Sequence, residues 1–316
     1  MKAVAIDRFG GPETLKTKTV PVPETGPNEV LIRVEFAGVG AWDPYEREGG
    51  FTEIMQGKPK FPYVLGSEGS GTVAGVGKNV DRFSEGDKVY SVGFLNPKGG
   101  FFAEYIVVNA DLISHIPGGL NMEQASVLLI DGVTALRGLD DVLHLEPDES
   151  VMIFGASGGI GHLAVQLAKR MGTRVFAVAS GDDGVKLAER LGADVVVDGR
   201  GDGVLDGARE FAPDGIDAAL VTSGGDETDL ALSAIRGGGR VAYPNGVMPV
   251  PNAPSGVTVD VYNGDADREI IEKLNTLIES GDFEVRVDRV FPLDEAADAQ
   301  EALGTHHLGK FALKVS

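Results

Sequence analysis

A glycine-rich segment, Ala156-Ser157-Gly158-Gly159-Ile160-Gly161, carries the clearest chemical signal in this sequence. Glycines at this spacing let a backbone turn tightly and approach a ligand where a Cβ would intrude. When such a turn opens a helix, the N–H groups of the first helical turn can bind a pyrophosphate. The segment therefore favours a dinucleotide site, with these six residues as cofactor contacts, over a turn that serves packing alone.

The residues around this segment predict the strand and helix that such a site needs. Val151 to Phe154 form an apolar run of strand length, and Leu163, Leu167 and Met171 recur at helical spacing until Gly172, a predicted C-cap. Strand and helix signals then alternate at 174–179, 185–191, 195–197, 204–211, 216–221, 230–235 and 240–243. This alternation predicts an α/β domain built on a doubly wound parallel sheet.

The first 120 residues show a different pattern. Runs of strand type at 30–34, 71–75, 87–90 and 103–108 are separated by glycine and proline at intervals of about ten residues. The pattern predicts a compact, mostly β domain with a partly open barrel. One polar and aromatic segment, Ala41 to Gly49, breaks the pattern and is a candidate wall of the active site.

Length predicts two domains, because 316 residues exceed one ordinary core. The β-barrel domain is expected at 1–122 and 263–316, with a helix at 268–280 and a last strand at 310–315. The nucleotide-binding domain is expected at 123–262 and begins with helical signals at 122–138.

Composition excludes several classes of function. The net charge of −20 argues against nucleic acid and anionic membranes as partners, and the scattered acidic residues fit either a solvated surface or adaptation to high salt. The absence of cysteine excludes disulfides and thiolate metal ligands. No apolar run reaches the roughly 20 residues of a membrane span, and the first residues are too short in apolar length for a signal peptide. We therefore expect a cytoplasmic protein.

Several motifs together resemble the zinc-free branch of the medium-chain dehydrogenase/reductases, the quinone oxidoreductase and ζ-crystallin group. They occur in the family's order over essentially the whole chain, at Phe61 to Gly71, Phe83 to Val89, Thr134-Ala135, Ala156 to Gly161, Phe291 to Ala297 and Gly309-Lys310. The resemblance implies a GroES-like catalytic domain, a Rossmann nucleotide-binding domain and a homodimer that pairs the edges of its nucleotide sheets. The run at 257–261 is long and apolar enough to be such an edge strand.

The resemblance also bears on metal and reaction. In the zinc-dependent branch a cysteine and a histidine of the first domain hold the catalytic zinc, and the matching positions here are Gly38 and Ser67. The resemblance therefore implies a zinc-free enzyme that transfers hydride from NADPH to a quinone or an α,β-unsaturated carbonyl. The acceptor oxygen of such a substrate takes up the developing charge, so catalysis needs mainly positioning and a hydrogen-bond donor. The family's usual asparagine near the nicotinamide is Gly40 here.

A preference for NADPH can also be argued from the residues after the second nucleotide strand. Ser180-Gly181 stands where an acid would bind the ribose hydroxyls, and these small residues leave room for a 2′-phosphate. Lys186 matches a phosphate-binding lysine of the family, whereas a solvated helix residue is the alternative interpretation. Asp182 and Asp183 would repel a phosphate. The predicted cofactor contacts are completed by Thr134 and Tyr243.

Tyr45 is the catalytic candidate. It matches a tyrosine that lines the nicotinamide pocket of quinone reductases, and a phenol can donate a hydrogen bond to an oxyanion. A packed aromatic ring with a satisfied hydroxyl explains Tyr45 equally well. Asp43 and Arg47 belong to the same motif, and a local ion pair explains them as well as chemistry does.

Two other functions stay open. Enoyl-thioester reduction shares every cofactor feature and differs only in the substrate groove, where a basic patch for phosphopantetheine or coenzyme A would support it. Such a patch is not visible in so acidic a sequence. The other function is non-catalytic, that of an NADPH-binding structural or sensor protein, as ζ-crystallin is in lens. Tight cofactor binding without turnover would indicate that function.

Overall fold

The computed structural model describes residues 1–55 and 60–316. The chain forms two compact units: the first unit is Met1–Ile130, Ala266–Glu272 and Val287–Ser316, and the second unit is Asp131–Asp265 and Lys273–Arg286. The domain boundaries expected from the sequence, after residues 122 and 262, stay a prediction.

The described residues form both strands and helices throughout the chain. The strands are β1 (Lys2–Ile6), β2 (Lys16–Thr19), β3 (Glu29–Val39), β4 (Tyr63–Val64), β5 (Glu68–Val76), β6 (Lys88–Val92), β7 (Tyr105–Asn109), β8 (Ile113–His115), β9 (Ser150–Phe154), β10 (Arg174–Ala179), β11 (Val195–Asp198), β12 (Ile216–Val221), β13 (Ile235–Pro244), β14 (Thr258–Tyr262), β15 (Val287–Pro292) and β16 (Lys310–Lys314). The α-helices are α1 (Asp43–Arg47), α2 (Met122–Ala125), α3 (Leu129–Leu136), α4 (Gly159–Arg170), α5 (Gly181–Arg190), α6 (Val204–Phe211), α7 (Asp226–Leu232), α8 (Arg268–Glu279) and α9 (Ala296–Ala302). A π-helical segment, Arg137–Val142, follows α3.

The first unit is built on two sheets. A small antiparallel sheet has the order β2-β1-β4, and a seven-stranded sheet has the order β15-β16-β3-β5-β6-β8, with β7 also paired to β3. Val30, Ile32 and Val34 of β3 are fully buried, because alternate side chains of a strand point to the same face. Two register shifts between β3 and β5 bend and twist the larger sheet, as bulges do, which suits the partly open barrel predicted for this part of the chain.

The second unit is a parallel sheet with the order β11-β10-β9-β12-β13-β14, crossed by helices that follow its strands. The central strand β9 pairs with both β10 and β12, and its five residues are all buried. Strands buried on both faces are near-continuous apolar runs, which is why the sequence predicted them well. The predicted fold class, a β-barrel domain with a Rossmann domain, is confirmed.

Some elements differ from the sequence prediction. The helix predicted at 230–235 begins at Asp226 and ends at Leu232, and Ile235 already pairs with Ile216 in the sheet. The sequence analysis placed this strand at 240–243, after Gly237 to Gly239, and a run of three glycines is typical of a turn. Here the run lies within the strand, where β12 and β13 shift register. Helices α1 and α9 and strands β1, β2, β4, β8 and β15 were not predicted.

In the described part of the chain, no helix combines the length and the apolar character needed to cross a membrane.

Candidate active site

The glycine turn between β9 and α4 is tightly bound to the neighbouring strand. Gly155 has a φ of +88°, and the N–H groups of Gly155 and Ala156 both donate to the carbonyl of Val178, at 3.0 and 2.9 Å. A Cβ on Gly161 would lie 2.1 Å from the carbonyl oxygen of Gly155, so only glycine allows α4 to pack this closely. Gly158 is the N-cap of α4 and provides no side-chain cap. This is the geometry that a pyrophosphate site requires.

Ser157 connects this turn to the end of the next strand. It is buried, and its Oγ accepts a hydrogen bond from the N–H of Ser180 at 3.4 Å. A Cβ on Gly184 would lie 3.0 Å from the Cβ of Ser157. The end of β10 and the first turn of α5 are thus held against the glycine turn.

Two residues that the sequence analysis missed lie beside Gly181. The Asp198 carboxylate accepts hydrogen bonds from the N–H groups of Arg200 at 3.0 Å and Gly181 at 3.1 Å, and these bonds lower the pKa of Asp198. Nη1 of Arg200 lies 2.9 Å from the position that a Cβ of Gly181 would occupy, and Oδ1 of Asp183 lies 3.1 Å from it. Both signs of charge therefore surround the place expected for a 2′-phosphate. The available signal was a charged pair directly after the third apolar run.

The other predicted cofactor contacts lie in the same unit. Thr134 is buried on α3, its carbonyl accepts a hydrogen bond from Tyr262 Oη at 2.9 Å, and a Cβ on Gly264 would lie 2.0 Å from its Oγ1. Tyr243 pairs with Val261 near the end of β13. Because the strands of this sheet are parallel, Tyr243 and Tyr262 lie at the same end of the sheet as the glycine turn. The hydrogen bond from Tyr262 holds Thr134 at that end as well. Lys186 is exposed on the second turn of α5.

In the first unit, the short helix α1 carries three buried charged side chains, Asp43, Glu46 and Arg47. Oδ2 of Asp43 accepts a hydrogen bond from the N–H of Gly40 at 2.9 Å. Arg47 donates to Gln300 Oε1, to the carbonyl of Gly10 and to the carboxylate of Glu48. The structure therefore does not show the local ion pair between Asp43 and Arg47 that the sequence allowed, since each residue is bound to other groups.

Glu46 is the centre of a buried hydrogen-bond network. Tyr63 Oη donates to its Oε1 at 2.5 Å, and Ser67 Oγ lies 3.5 Å from its Oε2. The indole Nε1 of Trp42 donates to Ser67 Oγ at 3.1 Å. Burial raises the pKa of Glu46 to about 7, although the bonds from Tyr63 and Ser67 act in the opposite direction. No periodic pattern in the sequence indicates this network, because its members come from α1 and its N-cap, from β4 and from the residue before β5.

The position of the zinc-dependent enzymes' cysteine is filled by other groups. A Cβ on Gly38 would lie 2.7 Å from the carbonyl oxygen of Ser126 and 2.9 Å from Cγ of Glu68. Glu68 forms a buried ion pair with Lys310, whose Nζ lies 4.3 Å from the ring centroid of Trp42. A Cβ on Gly40 would lie 2.3 Å from the Trp42 ring, so this indole takes the space of the family's usual asparagine.

This donor set does not fit a catalytic zinc ion. Gly38 offers no ligand atom, and the hydroxyl of Ser67 is bound by Trp42 and Glu46. Within residues 1–55 and 60–316, no group of three or more His, Cys, Asp or Glu residues is placed to hold a metal ion.

Tyr45 stands on the outer side of α1. It is 55% exposed, and its ring covers Gly50, where a Cβ would lie 2.2 Å from Tyr45 Cζ. The ring meets Phe51 edge-on at 4.9 Å between centroids, and Phe51 meets Phe94 in the same way at 5.1 Å. The segment 56–59, which follows shortly after Phe51 in the chain, lies outside the described residues. The phenol of Tyr45 is thus presented on an aromatic ridge made by Tyr45, Phe51 and Phe94.

Two family models match the two halves of the chain. The alcohol dehydrogenase GroES-like domain matches residues 26–118, and the zinc-binding dehydrogenase model matches residues 159–255. Mouse quinone oxidoreductase is 30% identical over 331 residues, which cover 99% of this chain and 97% of the mouse protein. The chain belongs to the quinone oxidoreductase family of the medium-chain dehydrogenase/reductases. The family predicted from the sequence motifs is confirmed.

Solved structures of this superfamily superpose over the full chain. An NAD-dependent alcohol dehydrogenase is 27% identical, with a TM-score of 0.89 and full coverage of both chains. A mycobacterial protein solved with NADPH is 28% identical, with a TM-score of 0.83, and the match covers 99% of this chain and all of that one. Both nicotinamide cofactors thus occur among these similar structures, so the choice between them depends on this chain's own residues.

Proposed function

We propose that this protein is a zinc-free, NADPH-dependent oxidoreductase that reduces a quinone or an α,β-unsaturated carbonyl. The observation that carries the proposal is an intact dinucleotide turn in a chain whose metal-ligand positions are Gly38 and a hydrogen-bonded Ser67. The similar proteins include the mouse quinone oxidoreductase, whose name gives the substrate class of this proposal. When bound, the nicotinamide supplies a hydride. The protein's own groups bind the cofactor, orient the acceptor and stabilise the charge that develops on it.

The second unit supplies the cofactor contacts in this proposal. The turn Ala156, Ser157, Gly158, Gly159, Ile160 and Gly161 binds the pyrophosphate through backbone N–H groups at the start of α4. Ser180 and Gly181 leave room for the 2′-phosphate, while Arg200 and Lys186 provide positive charge. Thr134 and Tyr243 complete the site. Asp183 and Asp198 oppose a phosphate, and the guanidinium of Arg200 offsets that repulsion.

The first unit supplies the hydrogen-bond donor. Negative charge develops on the acceptor oxygen during hydride transfer, and a positioned donor stabilises that charge. We assign this role to the hydroxyl of Tyr45, which no described residue binds. The aromatic ridge beside it suits a flat, apolar acceptor such as a quinone or an enone, because aromatic faces and edges pack well against other rings.

The reaction assay follows oxidation of NADPH and of NADH with a quinone, a simple enone and an enoyl-thioester as parallel acceptors. We expect turnover with NADPH on the quinone or the enone and little with NADH. Turnover on the thioester alone would replace this proposal with enoyl-thioester reduction. No turnover with any of the acceptors, while NADPH still quenches the fluorescence of the single tryptophan, Trp42, would favour a non-catalytic NADPH-binding protein.

We also propose a cytoplasmic homodimer that pairs the free edges of β14. Strand β14 ends the sheet order, and Val259 and Val261 are 36% and 56% exposed. An exposed apolar edge strand promotes association unless it is covered, and pairing with a second copy covers it. Light scattering tests this proposal. We expect a dimer for the native protein and a monomer for Val261→Lys, whereas a native monomer would contradict the proposal.

A further inference from the structure

The buried carboxyl group of Asp43 interacts with three other buried charged groups of the first unit, those of Glu46, Glu68 and Lys310. Asp43, Glu46 and Glu68 are 0%, 2% and 1% exposed, and Lys310 is 4% exposed. Lys310 forms its ion pair with Glu68. A buried carboxylate without a counter-charge is costly, and a carboxyl group in that position stays neutral by keeping its proton. The network therefore holds at least one proton on Asp43 or Glu46.

A second buried cation, Arg47 of α1, does not change this balance of charges. The guanidinium of Arg47 is bound to the carboxylate of Glu48, to Gln300 and to the carbonyl of Gly10. Arg47 thus neutralises Glu48.

The hydrogen bonds indicate which carboxyl group keeps its proton. Oδ2 of Asp43 accepts a single backbone bond, and its Oδ1 is buried with no hydrogen-bond partner among the described residues. Glu46 accepts from the hydroxyl of Tyr63 and lies next to the hydroxyl of Ser67, and both stabilise its ionised form. Burial, followed by the charge of Glu46, raises the pKa of Asp43 well above its ordinary value, while that of Glu46 rises to about 7. Asp43 is therefore the neutral group and Glu46 the one that titrates.

The proton on Glu46 changes the bonds of Trp42. When Glu46 is ionised, Ser67 donates its hydrogen to the carboxylate and its oxygen accepts from the indole of Trp42. When Glu46 is protonated, the carboxyl group can donate to Ser67 Oγ, and Ser67 must turn its own hydrogen elsewhere. The indole of Trp42 then shares its acceptor, Ser67 Oγ, with a second donor. Trp42 is the N-cap residue of α1, and Tyr45 lies in that helix. A change in the bonds of Trp42 therefore reaches the segment that presents the phenol.

We propose that Glu46 is a positioning residue, whose protonation state sets the Ser67–Trp42 hydrogen bond and through it the placement of Tyr45. The protonated state is the productive one, since it leaves α1 without an uncompensated buried negative charge beside the neutral Asp43. The groups that face Glu46 are Tyr63 of β4, Ser67 before β5 and Asp43 of its own helix, with Glu68 and Lys310 acting through Asp43. The effect on turnover rests on the proposed function, whereas the effect on Trp42 does not.

Trp42 makes the proposal measurable without any substrate. The chain has one tryptophan, so the emission of the whole protein reports on this bond. We expect the emission of the native protein to change between pH 5 and 9 as one proton is released near neutral pH, and Glu46→Gln to remove that change. Tyr63→Phe should move the midpoint up by about one pH unit, because the carboxylate loses a donor. The control is Glu53→Gln, an exposed acidic residue of the same segment, which should titrate like the native protein.

A titration that survives in Glu46→Gln, or native emission that is flat across the range, would overturn the proposal. If Glu46→Gln does not fold, infrared spectroscopy of the native protein detects the C=O stretch of a protonated buried carboxyl group and its loss near neutral pH, and Tyr63→Phe must shift that loss.

Turnover supplies the second readout. We expect kcat of the native enzyme to fall about tenfold between pH 6 and 8, with KM for the acceptor little changed, and Glu46→Gln to show a smaller fall. If every acceptor is silent while Trp42 still titrates through Glu46, the network stands and the proposed reaction fails. If turnover occurs with equal pH profiles in both proteins and Trp42 does not titrate, the reaction stands and the network fails.

Discussion

At the scale of single residues, cofactor choice depends on the charges around Gly181. Arg200 lies against this glycine together with Asp183, and Asp198 binds the glycine's N–H group. Carboxylates at this place favour the ribose hydroxyls of NADH, whereas a guanidinium favours the phosphate of NADPH. The proposed NADPH preference is therefore a balance between opposite charges.

Removal of the cations should reverse this balance. In Arg200→Ala and Lys186→Ala, we expect KM for NADPH to rise about 10-fold or more, because a charge-assisted hydrogen bond contributes about 1.5–3 kcal/mol. KM for NADH should change little, since NADH lacks the phosphate. Lys78→Ala, which removes an exposed cation of the first unit, is the control. An equal rise for both cofactors would mean that these side chains do not contact the phosphate.

The hydroxyl of Tyr45 gives the second residue-scale prediction. Tyr45→Phe keeps the ring contact with Phe51 and removes only the donor. We expect kcat to fall about 10- to 100-fold with KM for the acceptor nearly constant, because the lost bond forms as charge develops. Tyr105→Phe, on β7 of the same unit, should be close to the native enzyme. A normal kcat in Tyr45→Phe would mean that solvent, and not Tyr45, supplies the proton and stabilises the charge on the acceptor oxygen.

At the scale of elements, the buried carboxyl group of Glu46 in helix α1 makes the free energy of unfolding depend on pH. The pKa of Glu46 is about 7 in the folded protein and has an ordinary value of 4.5. As pH rises from 4.5 to 7, the unfolded chain releases this proton first, so the free energy of unfolding falls through that window. The loss is at most about 3 to 4 kcal/mol, at ~1.4 kcal/mol for each pH unit.

Glu46→Gln should remove this pH dependence. The amide keeps the shape of the side chain and carries no proton that titrates. Urea unfolding at pH 5 and pH 8 measures the effect, and we expect the stability of the variant relative to the native protein to increase between these two values. Glu53→Gln should follow the native protein at both. A constant difference between Glu46→Gln and the native protein would show that Glu46 does not titrate in the fold.

The same helix shows where sequence reasoning stops. Strands β9, β10 and β12 are buried on both faces, so their apolar runs are visible in the sequence, and the glycine turn is visible because Gly155 and Gly161 tolerate no Cβ. The site around Glu46 joins side chains that are 17 and 21 residues apart in the chain. No local propensity encodes such a contact. The motif pointed to Asp43, Tyr45 and Arg47, but the partners of these residues depend on tertiary structure.

The glycine run before Arg240 shows the same limit for an element. Three glycines in a row favour a turn by local propensity, and the sequence analysis ended a helix there. Pairing with β12 extends β13 back to Ile235 across these residues. Tertiary pairing thus overrides local preference, which is common for strands.

At the scale of the whole molecule, the charge of −20 should make stability depend on salt. Repulsion among excess acidic groups weakens the folded state, and the Debye length falls from about 10 Å at 0.1 M salt to about 3 Å at 1 M. Salt also weakens exposed ion pairs such as Lys18–Asp7 and Arg268–Glu272, but pairs of this kind contribute little to stability because water already screens them. The excess charge acts throughout the molecule, so we expect its screening to dominate.

The melting temperature in NaCl from 0.05 to 1 M tests this expectation. We expect it to rise, by about 2 °C for each ~1 kcal/mol gained in a chain of this size. KCl should raise the melting temperature as NaCl does, because screening depends on ionic strength. Sucrose at equal osmolality carries no charge and should raise the melting temperature less. A melting temperature that is independent of salt would mean that the acidic side chains are far enough apart to be solvated without mutual cost, and adaptation to high salt would then lose its physical basis.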